Sequence, residues 1–239
     1  EELGSELVTN GSFDTDSNWT FAGTNGAVSN GVGVFADTTN SFIIQSSVVP
    51  ASVKQYKLQY EVIESNGGVS FGLSGGSSAF GSVSLTNSVG VHTKFITSNG
   101  SKTNLQFHNG GNFIGKIDNI SVKQVDPNDR WTLGTGWSIE DGKAKGAAGT
   151  QSNLTTANNP LTVGDTVEIT YTISDYVAGS AKAFFGGGLA GTARTSNGTF
   201  TEINVVTTNG SFLIQKSADG NLSIDNVTVK EYAITPLDV

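Results

Sequence analysis

The 239-residue sequence contains no cysteine and no methionine. Without thiols it forms no disulfide, no thiolate zinc site, no iron–sulfur cluster and no cysteine nucleophile. Charged side chains are sparse, 14% of the chain against about 25% in an ordinary soluble domain. The balance is acidic: 13 Lys and Arg face 21 Asp and Glu, for a formal net charge of −8. Affinity for phosphate needs clustered Lys and Arg, so scattered positive charge in an acidic chain argues against a nucleic-acid partner. No apolar run approaches the roughly 18 residues of a transmembrane helix, so no membrane partner is expected. Two histidines, His92 and His108, without any cysteine are a poor basis for a transition-metal site. The chain opens Glu1-Glu2-Leu3 and not on methionine, which leads us to expect a processed product or an excerpt. A charged stretch running into an apolar one, the mark of a signal peptide, is not visible at its start.

Glycine is plentiful, with 31 residues, and Asn-Gly pairs stand at 10–11, 25–26, 30–31, 66–67, 99–100, 109–110, 197–198 and 209–210. Asn tolerates the left-handed backbone region and Gly has no Cβ to clash there, so these pairs favour tight hairpin turns. Between the turns the pattern alternates. Tyr56, Leu58, Tyr60 and Val62 alternate with Lys57, Gln59 and Glu61; Val167, Ile169, Tyr171 and Ile173 alternate with Glu168, Thr170 and Thr172. Leu105 and Phe107 alternate with Asn104, Gln106 and His108. Period two with one polar face predicts half-buried antiparallel strands. No segment carries a capped helical stripe.

One plan occurs twice. Ile117-Asp118-Asn119-Ile120-Ser121-Val122-Lys123 recurs as Ile224-Asp225-Asn226-Val227-Thr228-Val229-Lys230, an offset of 107. Tyr60 matches Tyr171 at an offset of 111, as Val28 matches Ile139 and Asn30-Gly31 matches Asp141-Gly142. The repeat predicts two homologous domains, residues 1–125 and 126–232, joined at the polar seam Asp126-Pro127-Asn128-Asp129, with residues 233–239 as a tail or linker. Short strands with regular turn signals predict an all-β chain of two tandem antiparallel jelly-roll sandwiches. A period near 110 is too long for a propeller blade or a β-helix coil.

Glu6-Leu7-Val8-Thr9-Asn10-Gly11-Ser12-Phe13-Asp14 followed by Trp19, the stretch Gly136-Trp137-Ser138-Ile139-Glu140-Asp141-Gly142, and the two domain closings carry a resemblance. They resemble the jelly-roll carbohydrate-binding modules attached to cellulases and xylanases. Similar sequences recur in tandem in tail, fibre and capsid-decorating chains of phages and viruses. The second domain departs from the pattern: Asp129-Arg130-Trp131-Thr132-Leu133 stands where the family has Asn-Gly-Ser-Phe, so its first strand is expected to be shortened or differently paired. The resemblance implies a structural Ca²⁺ in the first domain, between opening and closing strands, at the positions of Asp14 and Asp118. Two carboxylates alone cannot specify a cation that takes six to eight oxygens. Hydrogen bonding at a turn or strand end is the plainer role for Asp118 and Asp225. No other cofactor is required.

No catalytic constellation emerges. Glu61, Glu64, Glu140, Glu168 and Glu202 are present, but nothing marks two of them as the facing pair that glycoside hydrolysis needs. Neither histidine lies near a Gly-x-Ser-x-Gly elbow set between strand and helix. Gly186-Gly187-Gly188-Leu189-Ala190-Gly191 lacks the Lys-Ser/Thr ending of a phosphate loop and reads as a turn or bulge. Binding is the better class. Phe80 and Phe113 lie in loops rich in Gly, Ser and Asn, where aromatics are more often exposed, and with His108 they are the candidate ligand contacts. Trp19, Trp131 and Trp137 adjoin strands and are expected to pack in cores or at sheet edges.

The resemblance together with these absences leads to a non-catalytic virion structural or adhesion segment, in capsid decoration, a tail or a fibre. Other virion or surface proteins, copies of itself and a glycan are the implied partners. A pair of carbohydrate-binding modules secreted by a bacterium as part of a polysaccharide-degrading enzyme is the alternative. So is a cell-surface layer or filament subunit whose tail is donated to its neighbour.

Overall fold

The computed structural model describes residues 3–23, 26–68 and 70–232. The tail, residues 233–239, and Asn25 of one Asn-Gly pair lie outside them. The chain forms two compact units, Leu3–Val125 and a second that begins at Asp126. All regular structure among the described residues is β-strand.

The first domain contains β1 (Leu3–Glu6), β2 (Thr20–Ala22), β3 (Gly26–Ser29), β4 (Val32–Phe35), β5 (Phe42–Gln45) and β6 (Gln55–Ser65). It continues with β7 (Gly72–Leu73), β8 (Val83–Ser84), β9 (Gly90–Thr97), β10 (Leu105–His108) and β11 (Gly115–Val125). One sheet runs β3-β4-β11-β6-β9, with β1 also on β11, and the other runs β2-β5-β10-β7-β8. The order 4-11-6-9 against 5-10-7-8, all antiparallel, is that of an eight-stranded jelly roll.

The second domain contains β12 (Trp131–Leu133), β13 (Trp137–Glu140), β14 (Lys143–Gly146), β15 (Ser152–Thr156) and β16 (Thr166–Ala178). Then follow β17 (Ala181–Phe185), β18 (Leu189–Ala190), β19 (Gly198–Val205), β20 (Leu213–Lys216) and β21 (Asn221–Glu231). Its sheets, β13-β14-β21-β16-β19 and β12-β15-β20-β17-β18, repeat the first domain's order, with no counterpart of β1 among the described residues.

The alternation read from the sequence sorts the faces. Tyr56, Leu58, Tyr60 and Val62 point from β6 into one core, and Val167, Ile169, Tyr171 and Ile173 point from β16 into the other. Burial of each such apolar side chain contributes roughly 1.5–3 kcal/mol relative to exposure. Asn30-Gly31 (φ 52° and 75°) turns β3 into β4, and Asp141-Gly142 (φ 52° and 77°) turns β13 into β14. Two successive positive φ values are the signature of the two-residue hairpin turn that matches strand twist.

The repeated Ile-Asp-Asn string is a bulge. The pairing of β11 with β6 slips between Asp118 and Ser121, and that of β21 with β16 slips at the equivalent place. Asn119 and Asn226 sit at φ 51° and 50°. In each case the preceding aspartate, Asp118 or Asp225, accepts the asparagine N–H at 2.7 Å. The seam is likewise an ordered turn: Asp126 is buried and accepts from Arg130 Nε at 3.1 Å and from the Trp131 N–H at 3.2 Å.

The opening of each domain differs. In the first, β4 pairs with residues 115–117 of β11, and β1 takes the rest of the same edge, with Leu3 opposite Val125 and Glu6 opposite Lys123. The chain then brings Val8, Phe13 and Trp19 into the core. In the second domain only residues 126–130 precede Trp131. Among the described residues no strand pairs with that edge of β21 beyond Ile224.

Asn226→Ala places a side chain that avoids the left-handed region at φ 50°, and is expected to destabilise the second domain by about 1 kcal/mol. Asn226→Gly is expected to change stability little. Urea denaturation of both variants against the parent chain checks this.

Candidate functional site

Strand alternation leaves one aromatic pair on the outer face of the first domain's smaller-stranded sheet. Ile43 and Phe107 turn inward and are fully buried, so Phe42 and His108 turn outward. They are direct cross-strand partners on β5 and β10. Their rings stack with centroids 4.4 Å apart and planes 10° apart. Ala22 flanks Phe42 in the same row and Gly72 flanks His108, so small residues border both rings. Gly72 must be small, because a Cβ there would lie 2.3 Å from the Val83 carbonyl oxygen.

Polar groups complete the face. His108 Nδ1 and Ser74 Oγ are 2.8 Å apart, which fixes the ring. His108 Nε2 is buried and has no partner among the described residues, and the same holds for Oε1 of Gln106, two residues earlier on the same face. Burial holds the His108 pKa below its ordinary value, so the ring is neutral at pH 7. Whichever way the Ser74 proton points, Nε2 is left to donate or accept one hydrogen bond.

Ser74 lies in Gly72-Leu73-Ser74-Gly75-Gly76, which has the Gly-x-Ser-x-Gly spacing, and the fold brings His108 to it across 34 residues. The strand before Ser74 leads into a loop and not into a helix, and no carboxylate meets the other ring nitrogen. The contact orients an imidazole and lacks the third group of a triad.

Of the three contacts expected from sequence, only His108 is on this face. Phe80 and Phe113 are buried in the core, and the expectation that they stand exposed is corrected. The Phe80 loop is pinned by Ala79 N–H donating to the Asn104 carbonyl, which turns the ring edge-on to Tyr56 at 5.7 Å. Phe113 closes a turn through its N–H to the Asn109 carbonyl and packs on Phe71 at 4.6 Å. A loop rich in Gly and Asn can fold over the end of a sandwich, so its composition did not imply exposure. Phe42 went unnoticed in the sequence. Its signal was the run Phe42-Ile43-Ile44, apolar on both faces where the neighbouring strands alternate.

Trp19 and Trp137 are in the cores, while Trp131 is only half-buried. Asp118 has its pKa raised, first by burial and then by the negative charges of Glu61 and Asp14. Asp14 accepts from Ser12 Oγ at 2.6 Å, and Glu61 accepts from Asn119 Nδ2 at 2.7 Å. Among the described residues no three His, Cys, Asp or Glu side chains are grouped to hold a metal ion.

The second domain does not repeat the site. Asn153 and Gln215 occupy the positions of Phe42 and His108, and bond to each other at 3.1 Å. Its buried polar cluster lies between the sheets instead. Arg194 lies 3.4 Å from Glu202 and 4.8 Å over the Phe200 ring. Burial, with the nearby Glu202 charge, pushes the Tyr171 hydroxyl up to about 12.

No protein-family model matches the chain, and no curated protein matches it. Among solved structures, the chain is similar to the N-terminal CBM22-1-CBM22-2 tandem domain from Paenibacillus barcinonensis Xyn10C. The identity is 11%, the match covers 97% of this chain and 99% of that one, and the TM-score is 0.31.

Two pH effects follow. The raised Asp118 pKa means that the folded state holds this proton more tightly than the unfolded state. The resulting penalty is absent below the ordinary value of 3.8 and grows as pH rises through the raised one. Asp118→Asn is expected to stabilise the first domain at neutral pH, read as a higher melting temperature. The lowered His108 pKa acts oppositely: its contribution is complete above 6.5 and is lost as pH falls below it. His108→Gln is expected to weaken the acid sensitivity of the first domain in denaturant titrations at neutral and mildly acidic pH.

Proposed function

We propose that the chain is a non-catalytic adhesion and structural segment whose first domain binds a glycan on the Phe42–His108 face. The observation that carries this reading is the stacked ring pair bordered by small residues, with two buried polar atoms beside it that have no partner among the described residues. Sugar rings offer C–H faces to aromatic faces and hydroxyls to fixed donors and acceptors, so this face has the chemistry for one. Phe42 and His108 supply apolar contact. Ser74 holds the imidazole in place, and His108 Nε2 and Gln106 Oε1, covered in the free protein, each add a hydrogen bond once a ligand shifts the groups over them.

The sequence resemblance to virion tail, fibre and decoration proteins supports a place on an extracellular particle, beside other structural proteins and copies of itself. A secreted module pair from a polysaccharide-degrading enzyme would use the same face in the same way. The second domain, without the ring pair, serves as a spacer or docking element.

A glycan and polysaccharide screen on residues 1–239, with calcium and with chelator, tests the reading. Binding is expected, unchanged by chelation, and weakened at least about fivefold by Phe42→Ala with little loss of stability, since one desolvated aromatic contact is worth about 1 kcal/mol or more. Phe113→Ala is the contrasting core variant and is expected to cost about 3–5 kcal/mol of stability. A folded chain that binds no glycan would move the protein to a purely structural role. Covalent labelling of Ser74 by a serine-hydrolase probe would overturn the non-catalytic part.

A further inference from the structure

The two domains share one strand order, so each serves as the reference for the other at matching positions. In the first domain Phe13, Ile43 and Ile117 crowd together: a Cβ at Gly33 would lie 2.9, 3.1 and 3.3 Å from them. The matching positions in the second domain are Ala144, Leu154 and Ile224, and nothing matches Phe13. A groove of about 520 Å³ lies there, its apolar lining formed by Trp131, Ile139, Leu154, Pro160, Val227 and Val229. It occupies the seat that β1 and the Phe13 segment fill in the first domain.

The floor of this groove is a strand edge with backbone groups to offer. Tyr232 N–H donates to the Thr166 carbonyl at 2.8 Å, so residues 228, 230 and 232 face β16. Antiparallel alternation then turns the backbone groups of Val229 and Glu231 the other way, toward the groove. In the first domain the same edge is bonded: the Val122 carbonyl accepts Leu7 N–H at 3.0 Å, and Ile120 N–H donates to the Gly11 carbonyl at 2.9 Å. Val122 and Ile120 match Val229 and Val227.

We propose that Thr235-Pro236-Leu237-Asp238-Val239 from a second copy of this chain seats antiparallel on this edge of β21. Leu237 then lies opposite Val229 and Val239 opposite Val227, both facing the groove. Asp238 faces solvent. Pro236 falls opposite Lys230, the one class of position where the added strand needs no N–H toward β21. The mode is strand addition, with main-chain bonds for affinity and alternate side chains for fit.

Short turns disfavour the chain's own tail as the occupant. A two-residue turn at Ala233-Ile234 would set Pro236 opposite Glu231, where an N–H is needed, and Asp238 against the apolar Val229. A three-residue turn would require Thr235, a β-branched residue, in the left-handed region. A neighbour's tail meets neither restraint. The inference stands whether or not the first domain binds a sugar.

Sedimentation and hydrogen–deuterium exchange on the full chain, on the chain lacking residues 233–239, and on Leu237→Asp test it. The altered residues lie beyond β21, so loss of folding does not confuse the result. The full chain is expected to associate with rising concentration, while both variants stay monomeric. The amides of Val227, Val229 and Glu231 are expected to exchange at least about tenfold faster in the truncated chain. Association that survives both variants overturns the proposal. So does a full chain that stays monomeric at every concentration, with those amides open or with them protected by its own tail.

Discussion

A strand in the middle of a sheet has two hydrogen-bonding edges, and its backbone groups must find partners on both. β11 and β21 are those strands here. Each lies between a long neighbour, β6 or β16, and a short one, β4 or β14, that covers only part of the facing edge. In the first domain β1 takes the remainder, and the segment behind it delivers Val8, Phe13 and Trp19 to the core. Trp19 is then satisfied by the same segment, its indole N–H donating to the Asn10 carbonyl at 2.8 Å. In the second domain the chain enters directly at Trp131, so one edge of β21 and one flank of the core share a single groove.

The same fold carries different surfaces on its two copies because strand alternation separates the two jobs. Inward residues are held alike: Tyr60 and Tyr171, Ile43 and Leu154, Ile117 and Ile224 occupy matching core positions. Outward residues are free to differ, and Phe42 with His108 becomes Asn153 with Gln215. Substitution on that face leaves the sandwich intact, so ligand chemistry belongs to the face and not to the fold.

Much of the architecture was legible locally. The alternation of residues 56–62 and 167–173 assigned β6 and β16 and their buried sides. Asn30-Gly31 and Asp141-Gly142 marked two hairpins, since few other pairs adopt two positive φ values cheaply. The altered opening at Asp129-Arg130-Trp131 pointed to an altered first strand. The candidate site was legible only at His108. Phe80 and Phe113 were misplaced because whether a loop aromatic faces water depends on where the loop lies over the sandwich. The Asn104 carbonyl, which takes the Ala79 N–H from 25 residues away, and the Asn109 carbonyl, which closes the turn before Phe113, make that decision.

Sequence by itself determined the class of fold, the duplication, the turns and the inward sides of the long strands, because each follows from periodicity and backbone preference among near neighbours. Tertiary structure decided the rest. It set Phe42 on His108 across 66 residues of chain and brought Ser74 to the same ring, since sheet register and not sequence spacing makes residues neighbours. It also set the edge of β21 that no described strand covers beside the hollow that Phe13 fills elsewhere. A missing strand is plain only once its partners are in place.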